Sequence, residues 1–155
     1  MAVHSFEKVQ CIPASLEKVW DFFADPTKLP SITPPYMQFQ VISRDRGDRI
    51  YAGQVIEYRL RPLPWFRVYW MTEITHVKQG VYFVDEQRRG PYSLWHHQHH
   101  FRTTQTGVEM TDIVHYEIPF GFIGGLANAL FVQRKLKELF RYRFERVEEI
   151  FGACP

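Results

Sequence analysis

The sequence predicts an α+β fold in which one curved antiparallel sheet wraps around a long C-terminal helix. Three observations support this prediction. A strand pattern and a short helical pattern come first, alternating strand patterns fill the middle of the chain, and a long amphipathic pattern follows them. Strands segregated from a terminal helix are typical of α+β domains. We expect a hollow between the sheet and the helix.

The first element is predicted to be a strand over residues 3–12, which Pro13 ends. Ser15 suits the N-cap of a short helix that follows. The apolar side chains of this helix recur at helical spacing, as Leu16, Val19, Trp20 and Phe23. The proline-rich segment 29–36 is expected to be irregular, with room for one more helical turn before Leu29.

Six strands are expected after this segment. Their predicted bounds are 39–43, 54–60, 66–76, 81–87 and 108–118, with a histidine-rich strand through residues 95–101 as the fifth. The polar turns between them are predicted at 44–48, 61–64, 78–80, 88–91 and 105–106. Turn residues between alternating segments are typical of an antiparallel meander.

The last element is predicted to be a long amphipathic helix from Leu126 to Ile150. Its apolar positions are Leu126, Leu130, Val132, Leu136, Leu139, Phe140, Phe144, Val147 and Ile150. Charged residues occupy the opposite face, so the apolar stripe is expected to lie on the sheet. We expect residues 1–152 to form a single domain.

Composition narrows the class of function. The 155 residues carry a formal net charge of +2, which does not indicate nucleic-acid binding. The sequence shows no signal peptide and no apolar run long enough for stable membrane insertion, so we expect a cytoplasmic protein. We expect it to be a monomer or a weak homodimer. Cys11 and Cys154 show no metal or redox spacing, and we expect no disulfide framework.

The histidine-rich strand carries the strongest candidate site. Because side chains alternate between the faces of a strand, Trp95, His97, His99 and Phe101 share one face. A hairpin that turns at residues 105–106 places His99 opposite Asp112 and Trp95 opposite Tyr116. A carboxylate beside an imidazole orients the ring and raises its pKa, as general acid–base chemistry requires.

Neighbouring segments add further candidates for the lining of the hollow. Asp85 and Gln87 are expected to project to the same side from the preceding strand. Trp70 shares one face of its strand with Thr72 and Ile74. Phe120 and Phe122 lie in a glycine-containing segment, 119–125, that is predicted to form a lip at the mouth of the pocket.

The order of elements resembles the START and birch-pollen-allergen superfamily, also called SRPBCC. Segment 16–23 resembles the first helix of that superfamily, and segments 29–35, 83–92, 95–101 and 112–121 resemble a bacterial cell-division-inhibitor-like branch. The resemblance implies a helix-grip fold and the binding of a small hydrophobic or amphipathic molecule, such as a lipid or polyketide. It does not settle activity, because only some members are enzymes.

Four interpretations of the cluster remain open at this point. The residues satisfy one another structurally; they bind the polar end of an apolar ligand; they act as a cyclase or dehydratase through His99, Asp112 and the proton donor Tyr116; or His97, His99 and Asp112 hold zinc. A separate alternative is a protein-interaction module on the aromatic strand around Trp65 and Phe66. We favour ligand binding, without a resident metal or cofactor.

Overall fold

The computed structural model describes residues 3–43, 49–119 and 125–155, with side chains from residue 130 onward in the last range. The expected polar turn at 44–48 lies outside the described residues. So do Phe120 and Phe122, together with most of the lip to which they were assigned.

The elements follow the predicted order. The bounds are β1 His4–Ile12, α1 Leu16–Phe23, two 3-10 helices at Pro26–Ile32 and Pro35–Met37, β2 Gln40–Val41, β3 Val55–Leu63, β4 Phe66–Lys78, β5 Tyr82–Arg89, β6 Leu94–Thr104, β7 Gly107–Glu117 and α2 Gly125–Phe151. The α+β class and the long C-terminal helix are confirmed.

The seven described strands form one antiparallel sheet in the order β1-β7-β6-β5-β4-β3-β2. Consecutive strands from β2 to β7 are neighbours, as in a meander, and the first strand adds to the last one, with His4 opposite Tyr116 and Ile12 opposite Val108. The sheet is therefore finished by a pairing between distant parts of the chain.

Local signals explain most of the boundaries. The Ser15 side chain accepts a hydrogen bond from the backbone N–H of Lys18 and caps α1 as expected. The turn at residues 105–106 needs Gly107, which has a φ of +143°. A Cβ at this position would lie 2.2 Å from the carbonyl oxygen of Ile12.

Three elements differ from the expectation. β2 spans only two residues, because the proline-rich segment before it winds into two 3-10 helices rather than one added turn. β3 continues through Pro62 to Leu63, with a register shift after Leu60 that absorbs the proline. The turn predicted at 88–91 falls instead between the end of β5 at Arg89 and the start of β6 at Leu94.

The core lies between the concave face of the sheet and the helices. Leu136, Phe140 and Val147 of α2 are buried, whereas Leu130 and Ile150 remain exposed, so the apolar stripe of α2 is narrower than predicted. A hydrogen bond of 2.9 Å from the Gln10 side chain to the carbonyl of Phe144 ties β1 to α2.

The expectation that the chain has no disulfide framework is wrong. Cys11 on β1 and Cys154 beyond α2 form a disulfide across a sequence separation of 143 residues. α2 ends at Phe151, and Gly152, in the left-handed region, turns the tail back toward β1. The positions of the two cysteines in the sequence do not indicate this pairing, because it depends on how α2 packs against β1.

No helix among the described residues is long and apolar enough to cross a membrane.

Candidate functional site

A cavity of about 360 Å³ lies between the sheet and α2. Apolar side chains form most of its wall, including Ile56, Leu60, Val68, Ile74 and Leu139 from β3, β4 and α2, and others from α1 and the two 3-10 helices. Asp85, His97 and His99 project into this wall from the two central strands. The volume and the mixture of an apolar wall with a few convergent polar groups are typical of small-molecule sites.

Two imidazoles and two carboxylates contact one another at the sheet side of this cavity. His97 Nε2 lies 2.8 Å from Asp112 Oδ1, and His99 Nε2 lies 2.8 Å from Asp85 Oδ2. The two rings are tilted by 40° to each other, with their centroids 3.8 Å apart. We call these four residues the His–Asp box.

Two further contacts close the box. His97 Nδ1 is 3.4 Å from Asp85 Oδ2, and His99 Nδ1 is 2.9 Å from Asp112 Oδ1. The second contact departs from hydrogen-bond geometry in spite of its short distance, so we treat it as electrostatic. Each imidazole therefore faces both carboxylates.

The strand register produces this arrangement. His99 pairs with Asp112 and Trp95 with Tyr116, which confirms the predicted hairpin alignment. On the other side of β6, Asp85 pairs with His97 and Phe83 with His99. Because neighbouring side chains on one face lie within reach of each other, three adjacent strands supply the box.

The two histidines hold protons differently. Burial lowers the pKa of His97, and the adjacent His99 lowers it further against the opposing effect of both carboxylates. Burial also acts to lower the pKa of His99, but the interactions of its ring with the carboxylates of Asp112 and Asp85 outweigh burial, and the pKa is raised. The box therefore favours His99 as the imidazolium and His97 as the neutral ring.

The carboxylates are held in their ionised form. Burial acts to raise the pKa of Asp85, but the electrostatic interaction with His97 and the hydrogen bond with His99 outweigh burial, and the pKa is lowered. The pKa of Asp112 lies far below its ordinary range because the hydrogen bond with His97 and the interaction with His99 overcome its burial. Both carboxylates thus remain available to stabilise an imidazolium.

The predicted lining residues divide into two groups. Asp85, His97, His99, Trp95 and Trp70 lie on the cavity wall. Four others do not line it, namely Gln87, Phe101, Asp112 and Tyr116.

Each of these four has another place in the fold. The Gln87 side chain donates to the carbonyl of Tyr92 at 2.7 Å and holds the β5–β6 turn. Phe101 packs against Trp20 of α1. Asp112 lies behind the two histidines, and Tyr116 stacks on His4 with ring centroids 5.4 Å apart. Asp112 is therefore placed to support the imidazoles rather than to touch a ligand.

Sequence reasoning missed Arg143 and Tyr58, both of which line the cavity. Arg143 projects from α2, with its guanidinium carbon 5.2 Å from the ring centroid of Phe140. Burial lowers its pKa, and the charges of Asp112 and Asp85 oppose that shift. Burial raises the pKa of Tyr58, so this phenol stays protonated as a hydrogen-bond donor.

The structure also changes the metal-binding hypothesis. Donor atoms of Asp85, His97 and His99 lie within 4.8 Å of one another and form the set among the described residues that could hold an ion. This set replaces Asp112 with Asp85. Asp112 contacts both rings from behind and would orient them, as carboxylates that contact metal-binding histidines do. An ion would have to displace the proton that His99 shares with Asp85.

Comparison with known families identifies similar proteins. The model of the family described as polyketide cyclase / dehydrase and lipid transport matches residues 12–145. Among curated proteins, none matches the chain.

Solved structures resemble the whole fold. A protein from Chromobacterium violaceum has a TM-score of 0.73 at 12% identity, covering 97% of this chain and 99% of its own. The Zhui aromatase/cyclase from Streptomyces sp. R1128 has a TM-score of 0.73 at 12% identity, covering 94% and 92%. A START superfamily protein from Mycobacterium smegmatis has a TM-score of 0.67 at 14% identity, covering 95% and 99%. The predicted helix-grip fold is thereby confirmed.

Proposed function

The chain belongs to the polyketide cyclase/dehydrase and lipid transport family, and we propose that it reversibly binds a small hydrophobic or amphipathic molecule in the cavity between the sheet and α2. The observation that carries this proposal is the cavity itself, whose wall is largely apolar and whose charged groups gather at one end. An apolar wall favours a hydrocarbon or aromatic body, and the charged end favours one polar group.

Acid–base catalysis of the cyclase or dehydratase type is the second candidate. It is supported by His99, which lies on the wall and is paired with Asp85 at 2.8 Å, and by the similarity to an aromatase/cyclase fold. In this alternative His99 exchanges a proton with the substrate, and Asp112 orients the ring. Tyr58 replaces Tyr116 as the candidate proton donor, because Tyr58 lines the cavity and Tyr116 does not.

We further propose several finer assignments. The motifs at 83–92 and 95–101 support the bacterial cell-division-inhibitor-like branch of the superfamily. Residues 1–152 act as one binding domain that works as a monomer or weak homodimer, without nucleic acid, in the cytoplasm. The residues that we propose contact the ligand are Asp85, Trp95, His97, His99 and Trp70, which line the cavity. The other candidates act from outside its wall, namely Gln87, Phe101, Asp112 and Tyr116.

Native mass spectrometry of the protein purified from its own host tests the binding proposal. We expect a reproducible complex with one organic molecule, which denaturing extraction releases. The matched control is Leu139→Trp, because Leu139 lines the cavity and a larger side chain there fills it. This variant should fold and lose the molecule. The proposal is contradicted if native spectra of wild type show no bound organic molecule and, like those of Leu139→Trp, only the mass of the protein itself.

His99→Phe separates binding from catalysis. Phenylalanine places another aromatic ring at this position and removes the titrating imidazole. A binding protein should therefore retain most of its affinity for the co-purified molecule. An acid–base enzyme should instead lose about 10²- to 10⁴-fold in the rate at which it converts that molecule. Product analysis by mass spectrometry of wild type and variant distinguishes the two outcomes.

A further inference from the structure

Arg143 is a partly buried cation on the wall of a cavity that is otherwise mostly apolar. It projects from the inner face of α2, one turn after Phe140 and one turn before Val147, both of which are buried. Its Nε atom is inaccessible to solvent and has no hydrogen-bond partner among the described residues. A buried donor without an acceptor is destabilising, so a partner for it is expected, and a ligand in the cavity can supply one.

The nearby carboxylates do not supply the missing acceptor. Asp85 and Asp112 act on Arg143 electrostatically, but among the described residues neither forms an ion pair with it. Asp85 Oδ2 already contacts His99 at 2.8 Å, and Asp112 Oδ1 already contacts His97 at 2.8 Å. One oxygen of each carboxylate is therefore engaged by the imidazoles, and among the described residues neither carboxylate lies within ion-pair distance of the guanidinium.

The charges around Arg143 limit the charge that a ligand can carry. Arg143 supplies a cation to the cavity wall, and the carboxylates of Asp85 and Asp112 act on it electrostatically from nearby. A ligand with one negative charge can be accommodated beside Arg143. A dianionic phosphate would place its second charge close to two buried carboxylates, which is unfavourable at low effective dielectric constant.

We infer that the ligand is an apolar molecule with a single carboxylate, and that the guanidinium of Arg143 binds this carboxylate. The inference rests on the proposed binding function and names the polar group of its ligand. The planar donors of arginine match the two oxygens of a carboxylate. Tyr58, which interacts electrostatically with Arg143 and Asp85, is the second donor available to the same head group.

Matched pairs of probes test the inference by isothermal titration calorimetry. Decanoic acid and decan-1-ol share one chain and differ at the head group, and at about pH 8 the acid is ionised. We expect wild-type protein to bind the acid more tightly than the alcohol. Arg143→Met should weaken binding of the acid by about tenfold to a hundredfold, the range for a hydrogen bond to a charged group, and leave the alcohol within about twofold.

Two controls keep the result interpretable. Arg141→Met removes a cation from the exposed face of the same helix, where it lies near Glu145, and should change neither affinity. The thermal unfolding of Arg143→Met should match wild type or exceed it, because methionine fills a similar volume without a buried unpaired charge.

The outcomes separate the two proposals. Equal binding of the acid and the alcohol, unaffected by Arg143→Met, overturns the carboxylate inference and leaves the binding function standing. Equal weakening of both probes by Arg143→Met also overturns it, since the arginine would then act only through packing. Failure of both probes to bind wild-type protein overturns the inference together with the binding function on which it rests.

Discussion

His97 and His99 have the same side-chain chemistry and neighbouring places on one strand face, but they differ in the balance of forces on their protons. Both are buried and both contact the same two carboxylates. The pKa of His99 is raised, whereas the pKa of His97 is lowered, partly by the charge of His99 itself. When two imidazoles share a pair of carboxylates, protonation of one ring disfavours protonation of the other.

Replacement of His99 by glutamine tests this difference at the residue scale. The pKa of His99 is raised in the folded protein, so protonation of this ring stabilises the fold. The contribution is complete at pH values below the pKa of an unfolded histidine, about 6.5, and is lost as pH rises through the pKa of His99 in the folded protein. The destabilisation by His99→Gln should therefore be largest in acid and shrink toward alkaline pH. Urea unfolding of wild type and variant over this range measures the difference.

His97→Gln is the matched control with the opposite sign. The pKa of His97 in the wild-type protein is lowered, so the folded state resists protonation of this ring. Wild type should therefore lose stability relative to His97→Gln as pH falls below about 6.5. Parallel pH dependences for the two variants would show that the histidines do not divide the protonation in this way.

The sequence predicts part of the His–Asp box and misses the rest for a physical reason. Strand alternation and a two-residue turn were enough to place His99 opposite Asp112. The place of Asp112 behind the rings, and of Tyr116 against His4, depends on how each side chain turns within the packed sheet. Alternation assigns a face to a residue, but it does not say which atoms reach the cavity.

At the scale of elements, α2 shows how a cation can be hidden in an apolar pattern. Leu136, Phe140, Arg143 and Val147 follow one another at spacings of four, three and four residues, as on one face of a helix. Only the three apolar members were assigned to the inner face from the sequence. The spacing of Arg143 from Phe140 and Val147 was the available signal for its place on the inner face. We assigned it to the solvent-facing side only because it is charged, and that assignment is wrong.

The β3–β4 hairpin yields the prediction at this scale. Trp65 at its tip is 81% exposed, whereas Trp95 on β6 is 8% exposed and contacts Trp70 and Tyr92. Trp65→Ala should change the free energy of unfolding by no more than about 0.5 kcal/mol. Trp95→Ala should cost about 3 to 5 kcal/mol, because it removes a buried ring. Chemical denaturation of both variants measures these values.

The same variant examines the protein-interaction alternative. Sedimentation at increasing concentration should give the same species for wild type and Trp65→Ala if the exposed ring serves no self-association. A wild-type dimer that dissociates on this substitution would support the interaction alternative.

At the scale of the whole molecule, the Cys11–Cys154 disulfide ties the C-terminal tail to the first strand. The loop that it closes contains most of the chain, with a separation of 143 residues. In the chain-entropy description, a loop of this size makes the disulfide stabilising by about 3 to 5 kcal/mol. Reduction should lower the urea midpoint of wild type accordingly, and Cys154→Ser should show the lower midpoint with or without reductant.

The same bond bears on the proposed location. Disulfides persist in oxidising compartments and are usually reduced in the cytoplasm. Alkylation of free thiols in intact host cells, followed by mass measurement, should label both cysteines if the protein is cytoplasmic. Unlabelled cysteines would overturn that part of the proposal.

The pairing of β1 with β7 has a consequence for synthesis on the ribosome. Among the described residues β7 is the strand that lies beside β1 in the sheet, so β1 stays without this partner until Gly107–Glu117 has been translated. At ordinary elongation rates this interval is about 5 to 20 s. During that time the nascent chain presents an unpaired strand edge, a feature that makes incompletely folded chains prone to aggregate.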